Sequence, residues 1–231
     1  MAKSLHIGLI GGIGVAATLV YYQRLCAAVS AFGAPLELTI VQADVQELIR
    51  NNVADNREAQ AEVYARLIDR LAAAGCDCAA ITSLGGHFCF DETEARAALP
   101  LVSAVAPLDA FFAAEGLRRV GLLGTRGVMR TRLYGQLART EAVALDAETE
   151  ALGQRYQEMA VAGTCSEADR AAFFDVGRRM VEDMGAEAIV LAGTDLNLAF
   201  DGAHDPGYRV IDALDVHVDL LARLATGRAS L

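Results

Sequence analysis

The sequence alternates short apolar runs, each ending near Gly, Thr or Ser, with longer segments of helical periodicity. Continuous apolar runs are typical of parallel strands, because helices cover both faces of such sheets. We predict strands at 5–11, 36–43, 78–83, 119–124 and 188–193. We predict helices at 16–29, 56–74, 131–139, 149–162, 168–184 and 214–225. This alternation indicates an α/β fold.

The chain also repeats itself. The segment 7–12, Ile-Gly-Leu-Ile-Gly-Gly, resembles 120–125, and the apolar segment 75–83 resembles 185–193. The two offsets are about 113 and 110 residues, which indicates one duplication with a small deletion. We therefore predict two pseudo-symmetric lobes, each a parallel sheet flanked by helices. The first comprises residues 1–104 plus 210–231, and the second comprises 105–209.

The expected site lies where the strands end. Ligands of open α/β sheets bind outside the carboxyl ends of the strands, so two similar lobes predict a site in the interlobe cleft. The loops that follow the five predicted strands are the candidates. They are residues 11–15, 44–52, 83–89, 125–129 and 193–197.

Composition excludes several function classes. Hydrophobic residues make up 54% of the 231 residues and the formal net charge is -10, which indicates an acidic globular protein. An acidic surface repels phosphate backbones and anionic lipids, so we expect no nucleic acid and no membrane partner. The apolar run at the start is too short and too rich in glycine for a signal peptide, which predicts a cytoplasmic protein.

Lysine and cysteine usage limits the chemistry. The only lysine, Lys3, precedes the first strand and is badly placed to hold pyridoxal phosphate, so we expect no cofactor. The five cysteines are an odd number without a secretion signal, which argues against disulfides. One residue separates Cys76 from Cys78, whereas two to four residues usually separate zinc ligands. We therefore expect no metal site and interpret both as buried thiols.

A glycine-rich loop follows the first strand and opens a helix. Backbone N–H groups at such a helix start suit an anion, so Gly12 and Gly14 are candidates for binding a carboxylate. A dinucleotide fingerprint fails because Ala17 stands at the third glycine position, although a purely structural tight turn remains an alternative. Thr125 is the counterpart in the second half and is expected either to bind a carboxylate or to cap the next helix.

Further polar residues follow the other strands. His87 lies in a polar loop and is a candidate acid or base, with a structural histidine as the alternative. Asp195 ends a strand and is a candidate site carboxylate or a turn cap. Arg50 and Asn51 are candidates for recognising an anionic side chain, and His217 is expected to be a packing or hydrogen-bonding residue of the last helix.

These residues together resemble the aspartate/glutamate racemase family, and the resemblance covers nearly the whole chain. The segments that carry it are 10–14 with Tyr21 and Tyr22, 120–125 with Met129 and Tyr134, 190–195, and 211–217. The resemblance implies two α/β lobes with the active site between them, no cofactor, and a homodimer. It also implies a small anionic amino acid or dicarboxylate as the ligand.

The family resemblance further implies a two-base mechanism in which one thiolate removes the α-proton and a second thiol returns one to the other face. The cysteines lie in Cys-Asn-Thr-x-His and Gly-Cys-Thr-Glu motifs. Anchoring on His87 puts Ser83 at the first thiol position, and anchoring on Thr194 and Asp195 puts Gly193 at the second. The internal repeat pairs Ser83 with Gly193 as well.

Losing both thiols changes what the chain can do. An alcohol is far harder to ionise than a thiol, and glycine offers no side-chain group. Cys89 and Cys165 are the remaining thiols to consider, but neither stands at a matching position.

Three hypotheses follow. The first is an isomerase-type enzyme in which Ser83 or Thr82 works with His87 and Asp195, while Gly193 and Thr194 contribute to substrate binding. The second is a lyase, decarboxylase or hydrolase that uses Ser83 or Thr82 once. The third is a non-catalytic carboxylate-binding protein.

Overall fold

The computed structural model of the protein describes residues 3–231, and the chain divides into two compact units. Unit 1 contains the chain up to Ala104 together with Asp215–Leu231, and unit 2 is Val105–Leu214. Each unit holds one four-stranded parallel sheet flanked by helices, which confirms the predicted α/β fold class.

The strands of unit 1 form a sheet in the order β2-β1-β3-β4. Their bounds are β1 Ile7–Gly11, β2 Leu38–Gln42, β3 Cys78–Ile81 and β4 Leu101–Val102. Ile10 of β1 pairs with Val41 of β2 and with Ile81 of β3, so these three strands end at one level. The loops that follow them therefore meet at the carboxyl edge of this sheet.

The helices of unit 1 are α1 Val15–Ala31, α2 Val45–Val53, α3 Arg57–Ala73, α4 Phe90–Glu94 and α9 Ala213–Ala225. α9 starts at the end of unit 2, and its remaining turns belong to unit 1. A 3-10 turn, Gly85–Cys89, connects β3 to α4. We call residues 83–89 the serine turn.

The sheet of unit 2 has the same spatial order, β6-β5-β7-β8. Its strands are β5 Arg119–Gly124, β6 Glu141–Val143, β7 Ala188–Ala192 and β8 Val210–Asp212. Its helices are α5 Leu108–Ala114, α6 Arg126–Thr131, α7 Thr149–Ala162 and α8 Glu167–Met184. Short 3-10 turns lie at Leu133–Gly135, Asp146–Glu148 and Thr194–Leu198. β1 corresponds to β5 and β3 to β7, as the internal repeat predicts.

Local chemistry sets the ends of the long helices. Ser166 caps α8 by accepting a hydrogen bond from the Asp169 N–H at 3.1 Å. Gly163 follows the last residue of α7 and Gly185 follows the last residue of α8. These cap residues have φ angles of 66° and 69°, which glycine adopts without strain. β1, β3 and β7 are buried at every position, so the middle of each sheet forms the core.

Two predicted elements differ from the structure. The helix predicted at 131–139 is wrong, because α6 ends at Thr131 and Arg132, Leu133 and Tyr134 take positive φ angles of 53°, 57° and 59°. A right-handed helix cannot continue through left-handed residues. The predicted loop 44–52 is mostly α2, which Asp44 caps by accepting from the Glu47 N–H at 2.7 Å.

The sequence pattern did not predict the short strands. β4, β6 and β8 have two or three residues each, too few for a recognisable apolar run. Residues 210–212, expected in the first lobe, form β8 and pair with β7 in unit 2. Within residues 3–231, no helix combines the length and the apolar character that crossing a membrane requires.

Candidate active site

The strand order of each sheet marks where a ligand is expected. In both sheets the chain order reverses beside the first strand, between β1 and β3 and between β5 and β7. Ligands of open α/β sheets bind at such switch points. The loops at these positions contain Gly12 and Ser83 in unit 1, and Thr125 and Gly193 in unit 2.

The glycine-rich loop of unit 1 lies directly beside the serine turn. A Cβ atom added to Gly12 would lie 3.3 Å from Ser83 Cβ and 4.0 Å from Ser83 Oγ. Gln42 holds this loop by donating from Nε2 to the Gly12 carbonyl at 3.0 Å. The structure therefore brings two predicted site residues, Gly12 and Ser83, together at one place.

α1 begins at this loop without a side-chain cap. Gly14 is its N-cap residue in an extended conformation, and no acidic residue lies in the first turn. The first N–H groups of a helix have no partner within the helix and carry partial positive charge. The start of α1 is therefore suited to a carboxylate placed beside Ser83.

Thr82 has a structural position. Its Oγ1 donates to the Ile10 carbonyl at 2.9 Å and lies 2.9 Å from Thr18 Oγ1 on α1. The residue is 1% exposed. These bonds connect β1, β3 and α1, so Thr82 positions the glycine loop against the serine turn.

Ser83 is half-buried at the start of the serine turn. The Gly86 N–H donates to Ser83 Oγ at 3.2 Å. This donor favours negative charge on the oxygen, because a hydrogen bond to an anion is stronger than one to a neutral acceptor. Ser83 is the side chain in the serine turn that best fits proton transfer.

His87 holds the serine turn in place. Its Nδ1 donates to the Ser83 carbonyl at 2.8 Å, and its Nε2 accepts from the Ala104 N–H at 3.0 Å. The ring stacks on Phe90 with centroids 5.2 Å apart. Burial lowers the pKa of His87 to about 4. With both ring nitrogens engaged, His87 fits a positioning role rather than that of a base for Ser83.

Arg50 and Asn51 lie on α2 instead of in a loop. Arg50 is exposed, and Asn51 Nδ2 is buried without a hydrogen-bond partner among residues 3–231. Their proposed contact with an anionic side chain of the substrate remains a prediction.

Gln60 on α3 was not found by sequence reasoning. It is 1% exposed, and both of its amide atoms lack a hydrogen-bond partner among the described residues. Tyr64 follows one turn later, with its hydroxyl 2.6 Å from where a Cβ on Gly86 would lie. This face of α3 is therefore directed towards the serine turn.

We expect the Gln60→Met variant to be more stable than the wild type by about 1–3 kcal/mol, because an unpaired buried amide forfeits its hydration without compensation. Equilibrium unfolding in urea measures the difference. Gln23→Met, which makes the same change at an exposed position of α1, is the control and should change little. A loss of stability in Gln60→Met would mean that the amide has partners such as a bound water or ligand.

In unit 2, Thr125 is the N-cap of α6. Its Oγ1 accepts from the Val128 N–H at 3.3 Å. The capping alternative is thus realised, and the half-buried hydroxyl keeps a lone pair for a ligand. A Cβ on Gly124, the last residue of β5, would lie 2.5 Å from the Ala192 carbonyl oxygen of β7, so the structure leaves no room for a side chain there.

Gly193 has no room for a side chain. A Cβ there would lie 2.5 Å from Cε2 and 2.8 Å from Cζ of Tyr156 on α7. The Tyr156 hydroxyl donates to Asp195 Oδ2 at 3.2 Å, and the Asp195 N–H approaches the same hydroxyl at 3.4 Å. The space beside Gly193, which the motif predicts to be the second thiol position, is therefore filled by an aromatic ring.

Asp195 and Thr194 are buried, at 3% and 1% exposure. Burial is the larger cause that raises the pKa of Tyr156 well above its ordinary value, and the charge of Asp195 is the second cause. The Tyr156 hydroxyl therefore stays protonated, and its hydrogen bond with Asp195 fits a structural role. Sequence reasoning missed Tyr156, because residues 156 and 193 meet only through the packing of α7.

The thiols of Cys89 and Cys165 both have raised pKa values. Cys89 is fully buried, and burial raises its pKa to about 11. Burial also raises the pKa of Cys165 in the loop between α7 and α8. Both thiols are therefore poor sources of a thiolate.

Throughout residues 3–231, no three His, Cys, Asp or Glu side chains lie together as metal ligands would. The single lysine, Lys3, is an exposed residue whose Nζ is paired with Asp77 at 2.7 Å.

Comparison with known proteins supports the resemblance seen in the motifs. A family model described as Asp/Glu/hydantoin racemase matches residues 10–221 of the chain. No curated protein matches the sequence.

Solved structures of similar fold cover almost the whole chain. A putative Asp/Glu racemase from Yersinia pestis superposes with a TM-score of 0.76 at 24% identity, covering 95% of this chain and 98% of that one. An aspartate racemase homologue from Pyrococcus horikoshii gives 0.74 at 25%, with 98% and 100% covered. The aspartate racemase of Picrophilus torridus gives 0.71 at 16%, with 95% and 94% covered.

Proposed function

We propose, since this chain belongs to the Asp/Glu/hydantoin racemase family, that it is a cofactor-independent enzyme of the isomerase type acting on a small amino or dicarboxylic acid. The observation that carries this proposal is the contact between the Gly12 loop and Ser83. It joins a carboxylate-binding element to the first proton-transfer position of the motif within one unit.

The start of α1 is proposed to hold the α-carboxylate. The positive end of this helix stabilises the carboxylate in the ground state and, more strongly, the enediolate that forms when the α-proton leaves. The Gly12 carbonyl is held by Gln42 and the loop is fixed by Thr82, so the donors need no rearrangement during the reaction.

Ser83 is proposed to carry the proton. In the step, the Cα–H bond breaks, its electron pair stays on the substrate, and the proton moves to Ser83 Oγ after that oxygen has lost its own proton to solvent. The Gly86 N–H at 3.2 Å supports the oxyanion, but an alcohol ionises far less readily than a thiol. We therefore expect slow turnover.

A carboxylate-binding protein without catalysis is the second candidate. The observation in its favour is that both nitrogens of His87 are engaged with backbone groups, so the nearest histidine does not activate Ser83. The same geometry disfavours a hydrolase that relies on a Ser–His pair.

The proposal predicts α-deuterium incorporation when the protein is incubated in D₂O with L- or D-aspartate or L- or D-glutamate. Mass spectrometry follows the exchange. Ser83→Ala should lower the rate at least about tenfold, because general acid–base groups contribute roughly 10²–10⁴-fold. Ser30→Ala, at an exposed position of α1, is the matched control and should leave the rate unchanged.

Thermal-shift measurements with the same acids separate the two candidates. Stabilisation by a dicarboxylate without any exchange would support the binding protein and reject the isomerase. Exchange that persists unchanged in Ser83→Ala would reject the role of Ser83.

A further inference from the structure

We propose that Tyr156 fills the space that the second proton-transfer position of the family needs, so that a single group transfers the proton and any isomerisation by this protein moves it on one face of the substrate, without racemising Cα. The geometric part of this inference concerns unit 2 alone. Its chemical part rests on the proposed function.

The ring of Tyr156 occupies the space that a side chain at residue 193 needs. Distances of 2.5 and 2.8 Å from a Cβ to the ring carbons lie below any ordinary van der Waals contact. The added side chain could not avoid the ring by shifting towards β5, because the same Cβ would already lie 3.0 Å from Gly124 Cα. A thiol at position 193 therefore requires that the ring be displaced.

The ring is held from two directions. One turn before it, α7 packs closely on the start of α6, where a Cβ on Gly153 would lie 2.2 Å from Arg126 Cγ. At its other end, the hydroxyl donates to the buried carboxylate of Asp195 at 3.2 Å. Swinging the ring away would break this buried hydrogen bond, which is unfavourable.

The two motif positions therefore differ physically, although the internal repeat makes them equivalent in sequence. Ser83 is half-buried, carries a side chain, and lies beside the glycine loop. Gly193 carries none, and its space is filled. The difference lies in residue 156, which the repeat itself does not include.

The chemical consequence concerns stereochemistry. Two-base racemisation removes a proton from one face and delivers another to the opposite face. With one group, the proton leaves Cα for that group, exchanges with solvent, and returns to the face it left. The carbon then gains deuterium in D₂O but keeps its configuration.

A set of unit 2 variants tests the geometry. Gly193→Cys is expected to lower the melting temperature by roughly 5–10 °C, because overpacking is destabilising. The double variant Tyr156→Ala/Gly193→Cys should melt well above the value expected from adding the two single effects, because the clash is gone. Tyr156→Phe/Gly193→Cys keeps the ring and should gain no such relief.

Gly127→Cys is the matched control. It adds the same side chain to a helical glycine of unit 2 that has nothing within 4 Å of the added Cβ, so its melting temperature should not fall. Strictly additive effects of Tyr156→Ala and Gly193→Cys, or a Gly193→Cys variant as stable as Gly127→Cys, would overturn the proposal.

The chemical part is tested in a Ser83→Cys background, which puts a thiol at the first motif position. With L-aspartate in D₂O, Ser83→Cys alone should give deuterated L-aspartate and at least about tenfold less D-aspartate. Adding Tyr156→Ala and Gly193→Cys should raise the D-aspartate share towards equality. Equal amounts of both enantiomers from Ser83→Cys alone would overturn the single-group inference.

The two failures can be distinguished. If no variant exchanges deuterium with aspartate or glutamate, the proposed function fails for those acids, and the melting temperatures still decide whether Tyr156 closes position 193. If exchange occurs but the configuration is lost in Ser83→Cys, the proposed function stands and the present inference is rejected.

Discussion

The Ser83→Cys variant is expected to exchange α-protons of its substrate at least about 10²-fold faster than the wild-type protein. A free thiol has a pKa near ~8.5, so a few per cent of it is thiolate at neutral pH, whereas an alcohol is almost entirely protonated. The Gly86 N–H that now donates to Ser83 Oγ at 3.2 Å would donate to the sulfur anion. The change replaces one oxygen atom with a larger sulfur atom at a half-buried position, so we expect the fold to tolerate it.

Deuterium incorporation into aspartate and glutamate, measured against pH, checks this expectation. The rate of Ser83→Cys should rise with pH through the pKa of the new thiol, because the thiolate is the reactive form. Ser30→Cys places a thiol on the exposed surface of α1 and should behave as wild type. A Ser83→Cys rate that equals the Ser30→Cys rate would show that residue 83 does not contact the reacting carbon.

Mild acid is expected to destabilise unit 1 through two buried histidines. Burial lowers the pKa of His87 to about 4, and burial together with the neighbouring His87 lowers the pKa of His217 to about 3. His217 is fully buried on α9, and its Nδ1 shares a hydrogen bond with the Tyr21 hydroxyl at 2.8 Å. In the unfolded chain both rings titrate near ~6.5.

The unfolded state therefore binds more protons than the folded state between about pH 4 and pH 6.5. Stability is fully present above pH 6.5 and falls as the pH drops through this window. Between pH 7 and pH 5, each histidine should remove about 2 kcal/mol from the free energy of unfolding, and the pair about 4 kcal/mol.

Urea unfolding at a series of pH values measures this loss. His217→Gln removes one titrating ring and should reduce the slope between pH 5 and pH 6.5 by about half, even if it lowers stability at pH 7. His204→Gln, on the exposed loop before β8, is the control and should keep the wild-type slope. An unchanged slope in His217→Gln would show that this ring is protonated in the folded state.

Several parts of the fold follow from local sequence patterns. β5 and α7 have the predicted bounds, because a continuous apolar run and a helical period are properties of neighbouring residues. The helix predicted at 131–139 failed because the left-handed conformations of Arg132, Leu133 and Tyr134 have no signature in residue type. Two-residue β4 exists only because β3 pairs with it, which no local pattern reveals.

Some features of the candidate site were likewise predictable from the sequence, and others were not. The motifs predict Ser83 and Gly193 at the two thiol positions, and the structure places Gly12, in the loop before α1, beside Ser83. Thr82 and His87 were candidates for chemistry, yet the structure gives their polar atoms backbone partners. A residue type shows what a group is able to do, whereas its hydrogen bonds show whether it is free to do it.

The sequence by itself determined the α/β architecture, the repeated sheet and the family, whereas the assignment of Ser83 and Gly193 to the two thiol positions stays a prediction. The homodimer and the substrate stay predictions of the family resemblance. Only the tertiary structure decided that Tyr156 fills the space at Gly193 and that Gln60 is buried without a partner among residues 3–231. The physical reason is distance along the chain: periodicity and motifs are local, while a close contact between α7 and the β7 loop exists only once the helix has packed on its sheet.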